Sequence, residues 1–253
     1  MILICGPCVI ESEKLLMKTA ESIISVVDKI TDIDFYFKAS CIKDNRTKID
    51  NYYGPGFRKG LRLLEKVKTT FNIKITTDFH NVDQIIDCGH RLDLIQIPAF
   101  LAMQTSIIKA AVETYKPIHV KKPQSLSPFN IGHIVNKIFE LDEDAELIIT
   151  DRGTSFGFDY LIMDPRFLRI MKKSTVYKFK VLNDITHANK YWSNYTFAYD
   201  LAKSSMACGV DGLFIESHID PEHALCDADS QIPTGELGSL LGSCGVLNDA
   251  ENK

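Results

Sequence analysis

The chain has 253 residues, 45% of them hydrophobic and 25% charged, enough apolar material for one large core and within the size of a single α/β barrel. Lys and Arg total 29 against 33 Asp and Glu, a net charge of −4 that argues against a dedicated nucleic-acid binder. No apolar run approaches the roughly 20 residues needed to cross a bilayer, and the opening Met-Ile-Leu-Ile-Cys-Gly-Pro lacks the basic and apolar regions of a signal peptide. Seven scattered cysteines without an export signal point to cytoplasmic thiols rather than disulfides.

Residues 2–5 form an apolar run stopped by Gly6-Pro7, which predicts a buried strand. Leu15, Leu16, Ala20, Ile23, Ile24 and Val27 recur at helical spacing across 13–30, with Ser12 as N-cap. A strand over 35–37 ends at Lys38, and Leu61, Leu64, Val67 and Phe71 mark the next helix. A strand over 72–76 leads to Asp78 and His80, a helix covers 82–88, and a strand over 92–95 ends at Gln96. Residues 101–112 read as helix, and 117–120 as a strand ending at Lys121-Lys122. Helix 131–139 precedes a strand over 146–149 that ends at Asp151-Arg152. Residues 165–171 suit a short helix with Pro in its first turn. A strand over 177–182 runs toward Asp184 and His187, followed by a helix over 197–208. The last strand, 212–215, stops at Glu216, and a short helix covers 234–241.

Eight strands alternating with helices, with no linker or low-complexity tract, predict a single (β/α)8 TIM barrel over 1–253. In such a barrel the chemistry collects at the C-terminal ends of the strands, here Cys8, Lys38, Asp78, His80, Gln96, Lys121, Arg152, His187 and Glu216. Two sets separate among them. Cys8, His187, Glu216 and one acid of the following loop, Asp227 or Asp229, form a mixed S/N/O donor set for a divalent metal: zinc, ferrous iron or manganese. The first, seventh and eighth strands that supply them adjoin when a barrel closes. His218, Asp220, Glu222, His223 and Cys226 crowd the same loop. Cys5 belongs inside the strand, so Cys5-x-x-Cys8 is discounted as a knuckle. Lys38, Lys43, Arg46, Lys121, Lys122 and Arg152 form the second set, a concentration of cations implying an anionic, phosphorylated substrate. Lys38 and Lys121 directly end apolar strands, where burial without an anion is costly.

Several motifs resemble those of the 3-deoxy-D-manno-octulosonate 8-phosphate synthase family. They are Gly6-Pro-Cys-Val-Ile-Glu-Ser12, Phe37-Lys-Ala-Ser40, Lys43-Asp-Asn-Arg46, Tyr53-Gly-Pro-Gly56 and Ile75-Thr-Thr-Asp-Phe-His80. The likeness continues in order through Ile95-Gln-Ile-Pro-Ala-Phe-Leu101, Val120-Lys-Lys-Pro-Gln124, Asp151-Arg-Gly-Thr-Ser-Phe-Gly157, Asp184-Ile-Thr-His187 and Phe214-Ile-Glu-Ser-His218. The resemblance implies condensation of phosphoenolpyruvate with arabinose 5-phosphate, in lipopolysaccharide sugar biosynthesis, with release of phosphate. Cys8 implies the metal-dependent subclass, with His187, Glu216 and Asp227 as the remaining ligands. Lys38, Lys43, Lys121 and Arg152 would hold phosphoenolpyruvate, with Gln96 and Lys122 as further substrate contacts. Asn45 and Arg46 would meet the sugar phosphate, often across a subunit boundary, in a homotetramer. Lys43, His80 and Lys121 are the implied catalytic groups, the first two as proton carriers.

The chain departs from that pattern at several points. Met103 replaces an Arg that contacts phosphoenolpyruvate, Tyr53 an Arg before Gly-Pro-Gly, and Lys48 a Ser of the sugar-phosphate loop. The segment 188–196 is short and lacks a Gly-rich covering loop, and the final helix ends early. The alternatives are a 3-deoxy-D-arabino-heptulosonate 7-phosphate synthase, whose Lys-Pro-Arg-Thr motif Lys43-Asp-Asn-Arg46 does not match, and a degenerate barrel kept as a binding or assembly subunit.

Overall fold

The computed structural model describes residues 1–157, 160–189 and 195–246. Eight parallel strands close on themselves: β1 (Ile2–Gly6), β2 (Asp34–Lys38), β3 (Lys74–Asp78), β4 (Leu94–Ile97), β5 (Ile118–Lys121), β6 (Leu147–Asp151), β7 (Lys180–Asp184) and β8 (Gly212–His218). Each pairs with the next, and β1 pairs with β8 from Ile2↔Gly212 to Gly6↔Glu216. At that seam a side chain on Gly212 would place its Cβ 1.9 Å from the Ile2 carbonyl oxygen, so only glycine fits there. This is the (β/α)8 barrel the alternation predicts.

The helices are α1 (Glu13–Val27), α2 (Phe57–Phe71), α3 (Val82–Cys88), α4 (Thr105–Val112), α5 (Gly132–Leu141), α6 (Pro165–Lys172), α7 (Thr196–Ala207) and α8 (Leu237–Ser243). Ser12 caps α1 by accepting the Leu15 N–H at 3.2 Å. Leu16, Ala20 and Ile23 of α1 and Leu61, Leu64 and Val67 of α2 are buried in the layer between helices and strands, with Leu3, Phe35 and Ile75. No helix among the described residues is long and apolar enough to cross a membrane.

The boundaries differ from expectation where local hydrogen bonding overrides periodicity. The fourth helix starts at Thr105 rather than 101, because 99–101 form a separate 3-10 turn ahead of the Gln104 cap. The last strand does not stop at Glu216. It runs on to His218 because Ser217 and His218 pair with an unforeseen two-residue strand, β9 (Ile232–Pro233).

A separate apolar cluster fills the barrel: Ile4, Tyr36, Leu94, Ile148, Leu182 and Phe214. Side chains alternate along a strand, so the residue two further on points to the same interior. Those residues are Gly6 and, all of them polar, Lys38, Gln96, Thr150, Asp184 and Glu216. One layer of hydrophobic packing therefore becomes, a single step along the strands, a ring of polar groups.

Candidate active site

The polar ring is buried, and its charges are paired. The Lys38 ammonium lies 3.0 Å from Glu216 Oε1 and 3.1 Å from the Cys8 carbonyl oxygen, with both side chains almost wholly enclosed. Lys121 bonds to Asp184 Oδ2, and its ammonium stands 3.3 Å from the centroid of the Phe214 ring. Two strand-end lysines thus find protein carboxylates, which removes the argument that each needs a substrate anion. Burial works against the Glu216 carboxylate, yet Lys38 and His187 hold it below its usual range.

Asp78 accepts hydrogen bonds from Ser40 and Gln96, and despite its burial Lys38 and Lys43 hold it well below the normal carboxylate range. Gln96 Oε1 lies 3.0 Å from His119 Nδ1, whose Nε2 lies 2.7 Å from Thr150 Oγ1. Burial, assisted by the Lys121 charge, pushes His119 well down and keeps it neutral. The floor of the site is therefore a connected polar network of the kind that holds its members in one geometry.

Above it opens a cleft lined by Lys43, Asn45, His80, Gln96, Lys121 and Arg152, among others. A second cleft of about 480 Å³ shares Lys43, Asn45, Arg152 and His187 with it and adds Arg46, Asn51, Tyr160 and Asp227. Together they make one groove. Lys43 is buried without a carboxylate ion-pair partner among the described residues. Burial pulls its pKa down, but the neighbouring Cys8 and Glu216 raise it well above normal, so it stays cationic. Arg152 donates to Gln124 at 3.1 Å. Arg46 at the outer end packs 4.7 Å over the Tyr53 ring, so the residue standing in place of an arginine provides a platform for another.

Burial brings the Lys121 pKa down to about 8, overcoming the pull of Asp184. Affinity for an anionic substrate is therefore expected to hold below that value and fall as pH rises through about 8, when the ammonium loses its proton. Stability moves the other way: between that pKa and the unfolded value of about 10.4 the unfolded chain binds more protons, so folding gains with pH. A substrate KM and a denaturation midpoint that rise together across this window check the assignment, and Lys121→Arg should flatten both.

The four expected metal donors converge, but in two groups rather than one. His187, Glu216 and Asp227 have donor atoms within 4.8 Å of one another, and so do Cys8, Cys226 and Asp227. Cys8 Sγ lies 3.1 Å from Asp227 Oδ2. Glu216 Oε2 is buried with no hydrogen-bond partner among the described residues, an arrangement that suits a cation. Burial first, then Cys226 and Glu216, push the Cys8 thiol well up, so a metal would have to displace its proton. The mixed S/N/O donor set is one that a divalent metal ion fits.

Residues 1–246 match the family model described as the DAHP synthetase I family. The chain belongs to that family. A 2-dehydro-3-deoxyphosphooctonate aldolase of Trichlorobacter lovleyi is 37% identical over 98% of this chain and 92% of its own length. Proteins of the same name from Cronobacter sakazakii and Haemophilus influenzae are 39% and 38% identical, over 98% of this chain and 89% of theirs.

Set against this family fold, the expected residues meet in the groove or in its metal-donor wall, with the exception of Lys122. Lys122 lies away from it, fully buried with its ammonium 3.2 Å from Asp151 Oδ1 and bonded to the Pro123 and Leu126 carbonyls, so it offers nothing to a substrate. Met103 is 43% exposed and lines neither cleft. Of the short segment after His187, residues 190–194 lie outside the described residues. Asp184, which the sequence places only at a strand terminus, sits at the centre of the site. Its Oδ2 accepts from Lys121 and lies 2.7 Å from His187 Nδ1, while Oδ1 accepts the backbone N–H groups of Thr186 and His187 at 3.1 and 3.0 Å. The Asp-x-x-His spacing was the signal for it.

Proposed function

We propose that the chain condenses phosphoenolpyruvate with D-arabinose 5-phosphate, giving 3-deoxy-D-manno-octulosonate 8-phosphate and inorganic phosphate. The observation that carries this is one groove with a cationic floor, a metal-donor wall and a cationic outer end. The relatives are named for a deoxyphosphooctonate, and the motif resemblance supplies the two substrates.

In this reading Lys121 and Arg152 hold the phosphate and carboxylate of phosphoenolpyruvate, with Gln96 ordering the floor through Asp78 and His119. Lys38 acts one step back, by keeping Glu216 ionised and aimed. Asn45 and Arg46 receive the sugar phosphate at the outer end. C3 of the enol attacks the aldehyde carbon, water adds at C2, and the tetrahedral intermediate expels phosphate. Cations fixed in advance stabilise the charge that develops. Lys43 and His80, both lining the cleft, carry protons. Cys8, His187, Glu216 and Asp227 would hold a divalent ion, which would supply Lewis acidity toward the aldehyde or a water. The whole chain acts as one barrel domain, in the cytoplasm, as a homotetramer.

Phosphate release from phosphoenolpyruvate should require arabinose 5-phosphate and stop on chelation, returning with added Zn²⁺, Fe²⁺ or Mn²⁺. Faster release with erythrose 4-phosphate would favour the heptulosonate reaction instead. No release with either sugar, under any of these metals, sinks the assignment.

A further inference from the structure

Cys226 reads in the sequence as one more polar residue of a crowded loop. In the structure its sulfur stands 3.2 Å from Cys8 Sγ and 3.6 Å from Asp227 Oδ2. Three tethers bring it there. Asp227 adopts a left-handed backbone (φ 49°), which turns two successive side chains toward the same space. The Gln231 amide bridges both thiol-bearing residues, accepting the Cys8 N–H at 2.9 Å and donating to the Cys226 carbonyl at 2.9 Å. The Glu11 carboxylate accepts the Leu225 N–H at 2.9 Å and fastens the loop to the chain just after Cys8.

A disulfide brings its sulfurs to about 2.05 Å. Two thiolates on one tetrahedral zinc, at Zn–S about 2.3 Å, stand about 3.8 Å apart. The observed spacing is closer to the chelate than to the bond, and both cysteines are free. Asp227 belongs to this triad and equally to the triad with His187 and Glu216. Glu216 Oε2, buried and unpartnered among the described residues, marks the second triad as built for a cation too.

We propose that Cys226 is a further donor of this centre, a second thiolate that completes a sulfur-rich position sharing Asp227 with the nitrogen- and oxygen-rich one. The inference rests on the reading of the groove as a metal site. Its chemical consequence is selectivity. Manganese gains little from a thiolate, whereas zinc and ferrous iron gain much, so the loop tilts the protein toward the softer ions.

The test uses the full chain, loaded with zinc under reductant. X-ray absorption at the zinc edge should count two sulfur neighbours at about 2.3 Å in the wild type and one in Cys226→Ser. The Zn²⁺-over-Mn²⁺ affinity ratio should fall about tenfold or more in the same variant, as one soft donor becomes a hard one. A single sulfur neighbour in the wild type overturns the proposal even if the variant does not fold. So does an unchanged affinity ratio. Failure of the wild type to retain any of these ions would overturn the metal reading itself, an outcome distinct from binding with one sulfur.

Discussion

Asp184→Asn is expected to weaken divalent-metal binding about 10–100-fold, the usual cost of losing a carboxylate behind a ligating histidine. It should also raise KM for phosphoenolpyruvate. Both effects follow from one oxygen. Asp184 Oδ2 lies 2.7 Å from His187 Nδ1 and also receives the Lys121 ammonium, so the same atom orients the proposed metal donor and the proposed substrate-binding lysine. An Asn side chain keeps the shape but lacks the charge, and it cannot serve both donors as well. Direct metal titration and substrate titration of the metal-free protein separate the two effects. If neither binding event changes, Asp184 only terminates a strand.

Lys38→Met is expected to cost about 3–5 kcal/mol of stability, because it leaves the Glu216 carboxylate charged, enclosed and unpaired. The Lys38 and Glu216 side chains are 2% and 1% exposed, so water cannot replace the lost partner. Replacing both residues with apolar ones of similar volume should recover most of that loss. The Lys74–Asp34 pair is the contrast: at 52% and 42% exposure its removal is worth about 0–1 kcal/mol. Denaturant unfolding of metal-free protein measures all of these. A loss below that of the surface pair would mean that Glu216 takes up a proton and is not held ionised by Lys38.

Much of this site is legible from strand ends alone. Tyr36 and Lys38, Leu94 and Gln96, and Phe214 and Glu216 each share a face because strand side chains repeat every two residues, and that needs no knowledge of the fold. What strand ends cannot display is pairing. Lys38 and Glu216 are 178 positions apart, so a lone buried lysine reads as a claim for a substrate anion when its partner lies across the barrel. Lys122 illustrates the hazard more sharply: it follows Lys121 directly, yet the alternation turns it out of the barrel toward Asp151. Cys226 stands in plain view in the crowded loop, but its meeting with Cys8 does not. Loops rich in acids are usually solvated, and nothing local announces that a left-handed residue at 227 folds one against the wall of the site. The two residues of β9 carry too little pattern to be read as a strand.

The seam between β1 and β8 gives the centre a history as well as a geometry. Cys8 follows β1, while Glu216 and Asp227 belong to β8 and the loop beyond it, about 200 residues later in synthesis. Contacts so distant in sequence form late, after most of the entropy of ordering the chain has been lost. During synthesis, at about 5–20 residues per second, the Cys8 thiol therefore waits on the order of ten seconds or more for its partners. In that interval it is open to oxidation and to capture by any thiophilic ion. Ring closure removes that exposure, and under the proposed metal reading uptake becomes a readout of whether the circle of strands is complete.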